Sequence, residues 1–416
     1  MEEVIKIRGG KKLSGEVEIS SSKNAAVAIL PAVVLASEIV KLFDVPHIND
    51  IHVLIQLLQE LNIKVTTDGD ALVIDPTDMK NKILDSDNVS KLRASYYFMG
   101  ALLGRYHYCK MLYPGGCNLG PRPIDLHLKG FEALGATVKV ENGLIEIKAD
   151  ELIGDEIYLD FASVGATINI MLAATLAEGR TVIRNAAKEP EIIDLSSMLN
   201  KMGARIHGAG TSEITIVGVQ RLKGCIHDII PDRIEAGTYI ILAAACGSGI
   251  TVKNVIPQHI EALLSKLEEM GVKYAVGNDY VRVLEGNDLK PVDITTQTFP
   301  GFATDLQQPI TPLLVKANGD SSITETIYPE RFKHCPEMNK LGADIEVGDS
   351  KSLIHGSNNI KLQGKDVTAT DLRCGAGLII AALMASGETT IHDAYHIFRG
   401  YSGIKEKLKA LGADID

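Results

Sequence analysis

The chain has 416 residues, 45% of them hydrophobic and 23% charged, which is typical of globular proteins and exceeds one ordinary hydrophobic core. Its net charge of −11 argues against nucleic acid as a partner, because phosphate binding needs a basic surface. The longest apolar stretch, residues 25–40, is broken by Pro31, Ser37 and Glu38, so we expect no membrane span. The N-terminus has no apolar signal core, and we therefore expect a cytoplasmic protein.

One short phrase recurs six times along the chain, each time directly after an amphipathic helical pattern. The six copies are LNIKV at Leu61, LGATV at Leu134, MGARI at Met202, MGVKY at Met270, LGADI at Leu341 and LGADI at Leu411. Successive copies are 73, 68, 68, 71 and 70 residues apart, so six units of about 70 residues account for nearly the whole chain. Glycine follows the predicted helix end in five copies, where it is the usual C-cap residue.

Each unit predicts the same elements in the same order. A helix rich in small residues, such as the one from Gly375, lies between two strands, and an amphipathic helix and a short hairpin follow. Small residues on every side of a helix indicate that it is buried among close neighbours. We therefore predict an α/β fold built from β-α-β-α-β-β units.

The two ends of the sequence complement each other. The last unit stops at Asp416 without its second hairpin strand, whereas the chain begins with a predicted strand, Val4–Arg8, that no helix precedes. We expect residues 1–21 to complete the last unit. The six units then form two domains of three, residues 22–230 and residues 1–21 plus 231–416.

The second unit contains an insertion. From the end of its small-residue helix at Gly104 to its recurring phrase at Leu134 takes 30 residues, against 21 to 24 in three other units. The excess is YPGGCNLGPRP, residues 113–123, whose glycines and prolines predict a loop with defined turns. A cysteine between glycine and polar residues on such a loop is not readily buried, so Cys117 is predicted to be reactive.

The other cysteines and the common cofactor motifs suggest no further chemistry. A chain of this size in a reducing compartment does not need disulfides, and no CxxC pair indicates zinc. Cys225, Cys246 and Cys374 are predicted to be small buried hydrophobic residues. We predict no metal and no cofactor, since neither GxGxxG nor a P-loop pattern occurs.

Three cations stand at the predicted starts of small-residue helices: Lys23, Arg93 and Arg373. A positive charge there opposes the helix dipole, so its presence at three equivalent positions favours a bound anion. The alternative, that each side chain only solvates its own charge, is plausible for one such residue and less so for three. Arg331 and Arg399 lie in two further equivalent loops, between a strand and an amphipathic helix.

These residues lie in motifs that closely resemble the UDP-N-acetylglucosamine branch of the EPSP synthase-like enolpyruvyl transferase family, and the resemblance runs the full length. Its most specific segments are SSKNAAVAIL from Ser21, PGGCNLGPRPIDL from Pro114, SVGAT from Ser163, PDRIEAGT from Pro231, PGFATDLQ from Pro300, ATDLR from Ala369 and FRGY from Phe398. The PGGC segment separates this branch from the shikimate-pathway enolpyruvyl transferases, which are similar in fold but lack it.

The resemblance implies two inverted, barrel-like α/β domains whose helix N-termini converge on an interdomain cleft. Phosphoenolpyruvate would bind among Lys23, Arg93, Arg122, Arg373 and Arg399. The remaining implied substrate-binding residues are Asn24, Pro123, Ile124, Asp125, Leu126, Ser163, Val164, Gly165, Asp305, Ile327, Arg331 and Asp371, and most of them, with Arg122, would hold the sugar nucleotide. The chain departs from the family at Phe161, where lysine is frequent, and at Cys374, where alanine is common.

The implied reaction transfers the enolpyruvyl group to the 3′-hydroxyl of UDP-N-acetylglucosamine, the first committed step of peptidoglycan synthesis, and is of the fosfomycin-sensitive type. The resemblance implies Cys117 as the acid that protonates the methylene carbon, or as a residue that aids product release. It implies Asp305 as the base, and Lys23 as a third catalytic residue that helps to hold the phosphate. We expect a monomer. Two alternatives stay open: an enolpyruvyl transferase with a different acceptor alcohol, and a catalytically silent paralogue that regulates or binds.

Overall fold

The computed structural model of the chain describes residues 3–115, 124–286 and 288–416. These residues divide into two units. The continuous unit comprises residues 21–115 and 124–230, and the split unit comprises residues 3–20, 231–286 and 288–416. None of the described helices combines the length and the hydrophobicity that a membrane span requires.

Among the described residues each unit contains three small sheets of related design. In three of the six, two parallel strands are joined through a buried helix. In two others the parallel partners, Ile226–Asp228 with Val40–Phe43 and Leu13–Glu18 with Gly247–Lys253, come from distant parts of the chain. Two antiparallel strands extend each sheet. In the continuous unit the sheets, in spatial order, are Ile226–Asp228, Val40–Phe43, Ala71–Asp75 and Lys64–Asp68; Tyr108–Leu112, Leu144–Lys148 and Thr137–Glu141; and Glu156–Tyr158, Arg180–Arg184, Glu213–Val217 and Arg205–His207. In the second of these, a single parallel bridge from Leu84 to Met111 stands in the place of the missing strand.

The split unit repeats this arrangement. Its sheets are Leu13–Glu18, Gly247–Lys253, Tyr280–Val283 and Tyr274–Val276; Asp293–Thr295, Gly319–Thr324, Lys351–Gly356 and Ile345–Gly348; and Asp366–Thr368, Glu388–His392, Ile5–Arg8 and Asp414–Ile415. The first strand, Ile5–Arg8, pairs antiparallel with both Glu388–His392 and Asp414–Ile415. Ile5–Arg8 therefore completes the last repeat, as predicted. Leu13–Glu18 instead pairs with Gly247–Lys253 in a different sheet, so the prediction that all of residues 1–21 complete the last unit is wrong.

Two kinds of helix alternate along the chain, again as predicted. Among the described residues, the six buried helices are Lys23–Ala32, Tyr97–Tyr106, Val164–Ala174, Arg233–Cys246, Thr304–Val315 and Leu372–Met384. The six amphipathic helices are Asn49–Glu60, Asp125–Ala133, Pro190–Lys201, Glu261–Glu269, His334–Lys340 and Ile404–Ala410. Shorter helical segments are Val33–Leu35, Asp87–Lys91, Arg93–Tyr96, Pro257–His259 and Tyr395–Phe398.

The buried helices pack against one another inside each unit, which explains their small residues. A methyl group on Gly100 would come within 2.4 Å of the backbone oxygen of Asn169 on the neighbouring buried helix. One hydrophobic core lies in each unit around these helices. The predicted α/β class with three repeats in each half is confirmed.

Candidate active site

Three of the predicted site residues, Cys117, Arg122 and Pro123, lie outside the described residues. Their roles stay predictions. In the continuous unit, Lys23 and Asn24 lie together at one helix start, and the other predicted residues lie near His127. In the split unit the predicted residues lie near Asp305, apart from Arg399. That residue directly follows the short helix Tyr395–Phe398.

Lys23 forms an ion pair at the start of the first buried helix. Ser22 caps this helix by accepting a hydrogen bond from the amide of Ala25 at 3.2 Å, and Lys23 and Asn24 form its first turn. The Lys23 Nζ lies 3.0 Å from Oδ2 of the buried Asp50. The carboxylate thus offsets the cost of a cation at a helix N-terminus. Asp50 was missed from the sequence, where it looks like an ordinary acidic residue in the first turn of the helix Asn49–Glu60.

Arg93 begins a short 3₁₀ turn, Arg93–Tyr96, and the buried helix itself starts only at Tyr97. The prediction that Arg93 stands in the first turn of that helix is therefore wrong by four residues, because Leu92 is extended and a tighter turn intervenes. The guanidinium of Arg93 lies 5.8 Å from the centroid of the Tyr96 ring. That ring in turn meets His127 edge-on, with the two centroids 4.8 Å apart.

His127 connects the predicted residues of this unit. It lies on the helix Asp125–Ala133, which also carries Asp125 and Leu126 and directly follows the buried Ile124. Asn169 accepts from the Gly100 amide at 2.9 Å, and its own amide nitrogen lies 2.8 Å from His127 Nδ1. The imidazole therefore accepts at Nδ1, which assigns its proton to Nε2.

Gly165 lets this histidine approach a helix start. Ser163 caps the helix Val164–Ala174 by accepting from the Ala166 amide at 3.2 Å. A methyl group on Gly165 would lie 2.8 Å from His127 Cε1 and 2.9 Å from the Tyr96 hydroxyl. The structure therefore brings Arg93, residues 124–126 and residues 163–165 together around His127, a residue that sequence reasoning did not select.

Burial, and after it the charge of Arg93, lowers the pKa of His127 from 6.5 to about 3. Between these values the unfolded chain binds a proton that the folded chain does not, so stability is full above pH 6.5 and falls as the pH falls. We predict that the free energy of unfolding of His127→Gln falls less steeply with falling pH than that of the wild type. Below pH 6.5 the difference in slope should reach up to about 1.4 kcal/mol per pH unit. Urea unfolding of both proteins at pH 6.5 and 5.5 measures it.

His355→Gln is the matched control for this prediction. Hydrogen bonding to Asp320 raises the pKa of His355, so that replacement should change the pH dependence in the opposite direction. Equal pH dependence in the wild type and His127→Gln would contradict a neutral, buried imidazole.

In the split unit, Asp305 is held between two arginines. Its Oδ1 lies 2.8 Å from Arg331 Nη1 and its Oδ2 lies 3.1 Å from Arg373 Nη2. Both arginine side chains are only 3% exposed, whereas that of Asp305 is 26% exposed. Burial alone would raise the pKa of Asp305, but the charges of Arg373 and Arg331 outweigh it and hold the pKa well below its usual range. The carboxylate is thus ionised at neutral pH, and it is a weak base while both arginines contact it.

Asp371 fixes the position of Arg373. It caps the helix Leu372–Met384, accepting from the amides of Arg373 at 2.9 Å and Cys374 at 3.1 Å, and Gln308 donates to its other oxygen at 3.1 Å. The ring of Tyr401 lies below the Arg373 guanidinium, 5.3 Å from it, and the Tyr401 hydroxyl lies 2.9 Å from Thr238 Oγ1. Tyr401 was not selected from the sequence.

Glu325 ties the segment with Ile327 to the helix that carries Asp305. Its carboxylate accepts from the Ile327 amide at 2.9 Å and from Thr304 Oγ1 at 2.9 Å. Thr304 in turn accepts from Arg331 at 3.0 Å. Glu325 is fully buried, and no motif in the sequence marked it.

Cys374 is fully buried, and burial raises the pKa of its thiol to about 12. Cys225 and Cys246 are only partly buried, so the prediction of full burial is wrong for these two, which lie beside an edge strand and at a helix end. In residues 3–115, 124–286 and 288–416 no grouping of histidine, cysteine and carboxylate side chains could hold a metal ion.

The chain is similar to proteins of known name along its whole length. It is 57% identical over 409 residues to UDP-N-acetylglucosamine 1-carboxyvinyltransferase 2 of Listeria monocytogenes serotype 4b (strain F2365), covering 98% of this chain and 96% of that one. It is 54% identical over 415 residues to the protein of the same name from Staphylococcus aureus (strain MRSA252), covering 100% and 98%.

Solved structures give the same picture of the fold. The enolpyruvyl transferase NikO from Streptomyces tendae superimposes with a TM-score of 0.91 at 27% identity, over 100% of this chain and 98% of that one. An EPSP synthase from Acinetobacter baumannii superimposes with a TM-score of 0.75 at 17% identity, over 100% of both chains, and shows the shared fold. Residues 7–408 match one family, and the chain belongs to it: the EPSP synthase (3-phosphoshikimate 1-carboxyvinyltransferase) family.

Proposed function

We propose that this protein transfers the enolpyruvyl group of phosphoenolpyruvate to the 3′-hydroxyl of UDP-N-acetylglucosamine and releases phosphate. The observation that carries the proposal is the 57% identity over 98% of the chain to a relative named for this transfer. The reaction is the first committed step of peptidoglycan synthesis. We further propose a cytoplasmic monomer that uses neither metal nor cofactor and binds neither nucleic acid nor membrane.

The proposed chemistry is an addition followed by an elimination. The 3′-oxygen bonds to the central carbon of phosphoenolpyruvate while the hydroxyl proton leaves to Asp305. Cys117 delivers a proton to the methylene carbon, which completes a tetrahedral ketal. The new methyl group then returns a proton to the Cys117 thiolate while phosphate departs, which restores the double bond. Acid, base and cations are all required, because charge develops at three points.

The cationic residues would hold the anionic substrate. Lys23, Arg122 and Arg399 would bind its phosphate and carboxylate, with Arg93 and Arg373 nearby, since guanidinium groups fit these oxyanions. The sugar nucleotide would contact Asn24, residues 122–126, residues 163–165 and Ile327. The close packing of Arg93, His127 and Gly165 supports one binding surface for it in the continuous unit. Phe161, half exposed, offers no cation there.

A phosphate-release assay tests the proposal. With phosphoenolpyruvate, we expect release on addition of UDP-N-acetylglucosamine and none on addition of shikimate 3-phosphate. Release with only shikimate 3-phosphate would identify a different acceptor alcohol. No release with either would favour a catalytically silent paralogue and would overturn the proposed function.

We predict that the epoxide antibiotic fosfomycin inactivates the protein by a single covalent adduct. In the family that this chain resembles, fosfomycin alkylates the cysteine of the PGGC segment, which is Cys117 here. Intact mass measurement and peptide mapping should place one adduct on Cys117, and Cys117→Ser should take up none. Cys225→Ser is the matched control and should label as the wild type does. Inactivation without an adduct on Cys117 would contradict a reactive thiol in this loop.

A further inference from the structure

Ser20 is held through each of its polar groups. Its amide donates to Oε2 of Glu235 at 3.2 Å, its carbonyl accepts from the amide of Asp232 at 2.8 Å, and its hydroxyl accepts from Nζ of Lys407 at 2.6 Å. The same Nζ lies 2.6 Å from Oε1 of Glu235. All four residues belong to the split unit, and Ser20 is its last residue before the chain enters the continuous unit at Ser21. These contacts therefore fix the chain at this passage.

Glu235 departs from the pattern of the buried helices. It is the third residue of the helix Arg233–Cys246, and its side chain is only 2% exposed. The third residues of the other five described buried helices are uncharged: Ala25, Met99, Ala166, Leu306 and Cys374. Burying a carboxylate costs free energy unless it is paired, and burial raises the pKa of Glu235 to about 7 although Lys407 opposes the rise. Packing alone therefore does not explain a charge at this position.

Helix capping is the simplest reason for this carboxylate, but its contacts differ from those of a capping box. In that motif the carboxylate of the third helical residue accepts from the amide of the N-cap residue. Here the N-cap residue is Asp232, and its amide donates to the Ser20 carbonyl instead. The carboxylate of Glu235 accepts from Ser20 and Lys407. Glu235 thus links its helix to the passing chain and to the helix Ile404–Ala410, which carries Lys407.

The chain leads directly from Ser20 to Lys23. Within the continuous unit, the amide of Ser22 donates to the carbonyl of Ile230 at 2.7 Å, and the Ser22 side chain caps the helix that Lys23 begins. The short segment before Lys23 is therefore held at Ser20 in one unit and at Ser22 in the other. A segment held at both ends has little freedom, so a shift of Ser20 changes the position of the Lys23 ammonium.

We propose that Glu235 and Lys407 are positioning residues for Lys23, and that they act by holding Ser20. Lys23 would bind the phosphate of phosphoenolpyruvate, and for this role the inference rests on the proposed function. Neither Glu235 nor Lys407 needs to touch the substrate. Their side chains are only 2% and 20% exposed, so water competes little for their contacts with Ser20.

Lys407→Met tests this inference because it removes the ammonium and keeps most of the apolar side chain. Hydrogen exchange followed by mass spectrometry should show at least fivefold faster exchange of the backbone amides of residues 19–26. In calorimetric titration, phosphoenolpyruvate should bind at least threefold more weakly than to the wild type. The dissociation constant of uridine diphosphate should change less than twofold, because the residues proposed to bind the nucleotide around His127 lie on other helices.

Lys266→Met is the matched control, since Lys266 and Lys407 both lie four positions before the recurring phrase of their repeats. The ion pair of Lys266 stays within its own helix, so hydrogen exchange and both dissociation constants should equal those of the wild type. Where Lys407→Met does not fold because it leaves a buried carboxylate, Glu235→Gln combined with Lys407→Met removes both charges and should show the same effects.

The possible results separate this inference from the proposed function. Unchanged hydrogen exchange in Lys407→Met would show that Lys407 does not hold Ser20, and faster exchange with unchanged phosphoenolpyruvate affinity would show that the hold does not position Lys23. Either result overturns the inference, and so do equal losses of affinity for phosphoenolpyruvate and uridine diphosphate, which indicate a general loss of structure. A selective loss for phosphoenolpyruvate in a protein that turns over no acceptor retains the positioning and removes the proposed function.

Discussion

Replacing Asp305 with alanine is expected to slow the chemical step by about 10² to 10⁴-fold, the usual cost of losing a general base. The substitution removes the proposed acceptor of the 3′-hydroxyl proton and leaves in place the two arginines that contact the carboxylate, Arg331 and Arg373. Phosphate release in a single turnover, at saturating concentrations of both substrates, isolates this step from substrate affinity and product release.

The control for Asp305→Ala is Asp320→Ala, which removes a carboxylate of the same unit that pairs with the partly exposed His355. It should retain the wild-type rate. A loss of less than tenfold in Asp305→Ala would remove Asp305 from the role of base. Thermal melting of both variants shows whether a large loss reflects chemistry or unfolding.

Replacing Asp50 with alanine is expected to lower the free energy of unfolding by about 3 kcal/mol, because it removes the buried carboxylate that pairs with the Lys23 cation at a helix N-terminus. The side chains of Lys23 and Asp50 are only 16% and 4% exposed, so water screens the pair weakly. Urea unfolding measures the change. The substitution should also weaken phosphoenolpyruvate binding, because Lys23 loses the contact that orients it.

Asp68→Ala provides the comparison for Asp50→Ala. It breaks a pair with Lys41 in the same unit, at 3.1 Å, but those side chains are 40% and 70% exposed, and such pairs contribute at most about 1 kcal/mol. In a double-mutant cycle, Lys23→Met should largely offset the loss in Asp50→Ala. Additive effects would show that the pair has no coupling of its own.

Much of the fold was predictable because each repeat contains the same periodic signals. The phrase from Leu61 to Leu411 marks the end of an amphipathic helix, and the small residues around Gly100 mark a helix that must approach a neighbour closely. The unpaired first strand, Ile5–Arg8, could be assigned to the last repeat because that repeat lacked one strand. These signals are local, so a single sequence contains them.

The site was less predictable because its geometry joins distant parts of the chain. Asp50 and His127 occupy polar positions of ordinary amphipathic helices, and their roles arise from contacts with Lys23 and Asn169. The sequence selected Asp305 and both arginines through family motifs. It could not show that Arg331 and Arg373, 26 and 68 residues further along the chain, take both carboxylate oxygens. The periodicity of hydrophobic residues does not indicate contacts between residues that are far apart in the sequence.

The first strand also affects the order in which the protein can fold during synthesis. Ile5–Arg8 lies inside its sheet, and Arg8 is 380 residues from its partner Glu388. At about 5 to 20 residues per second, that strand leaves the ribosome roughly 20 to 80 s before its partner. The described strands of the continuous unit, by contrast, are all translated once Asp228 has emerged. The continuous unit can therefore form first, while the amphipathic strand Ile5–Arg8 waits for its partners Glu388–His392 and Asp414–Ile415.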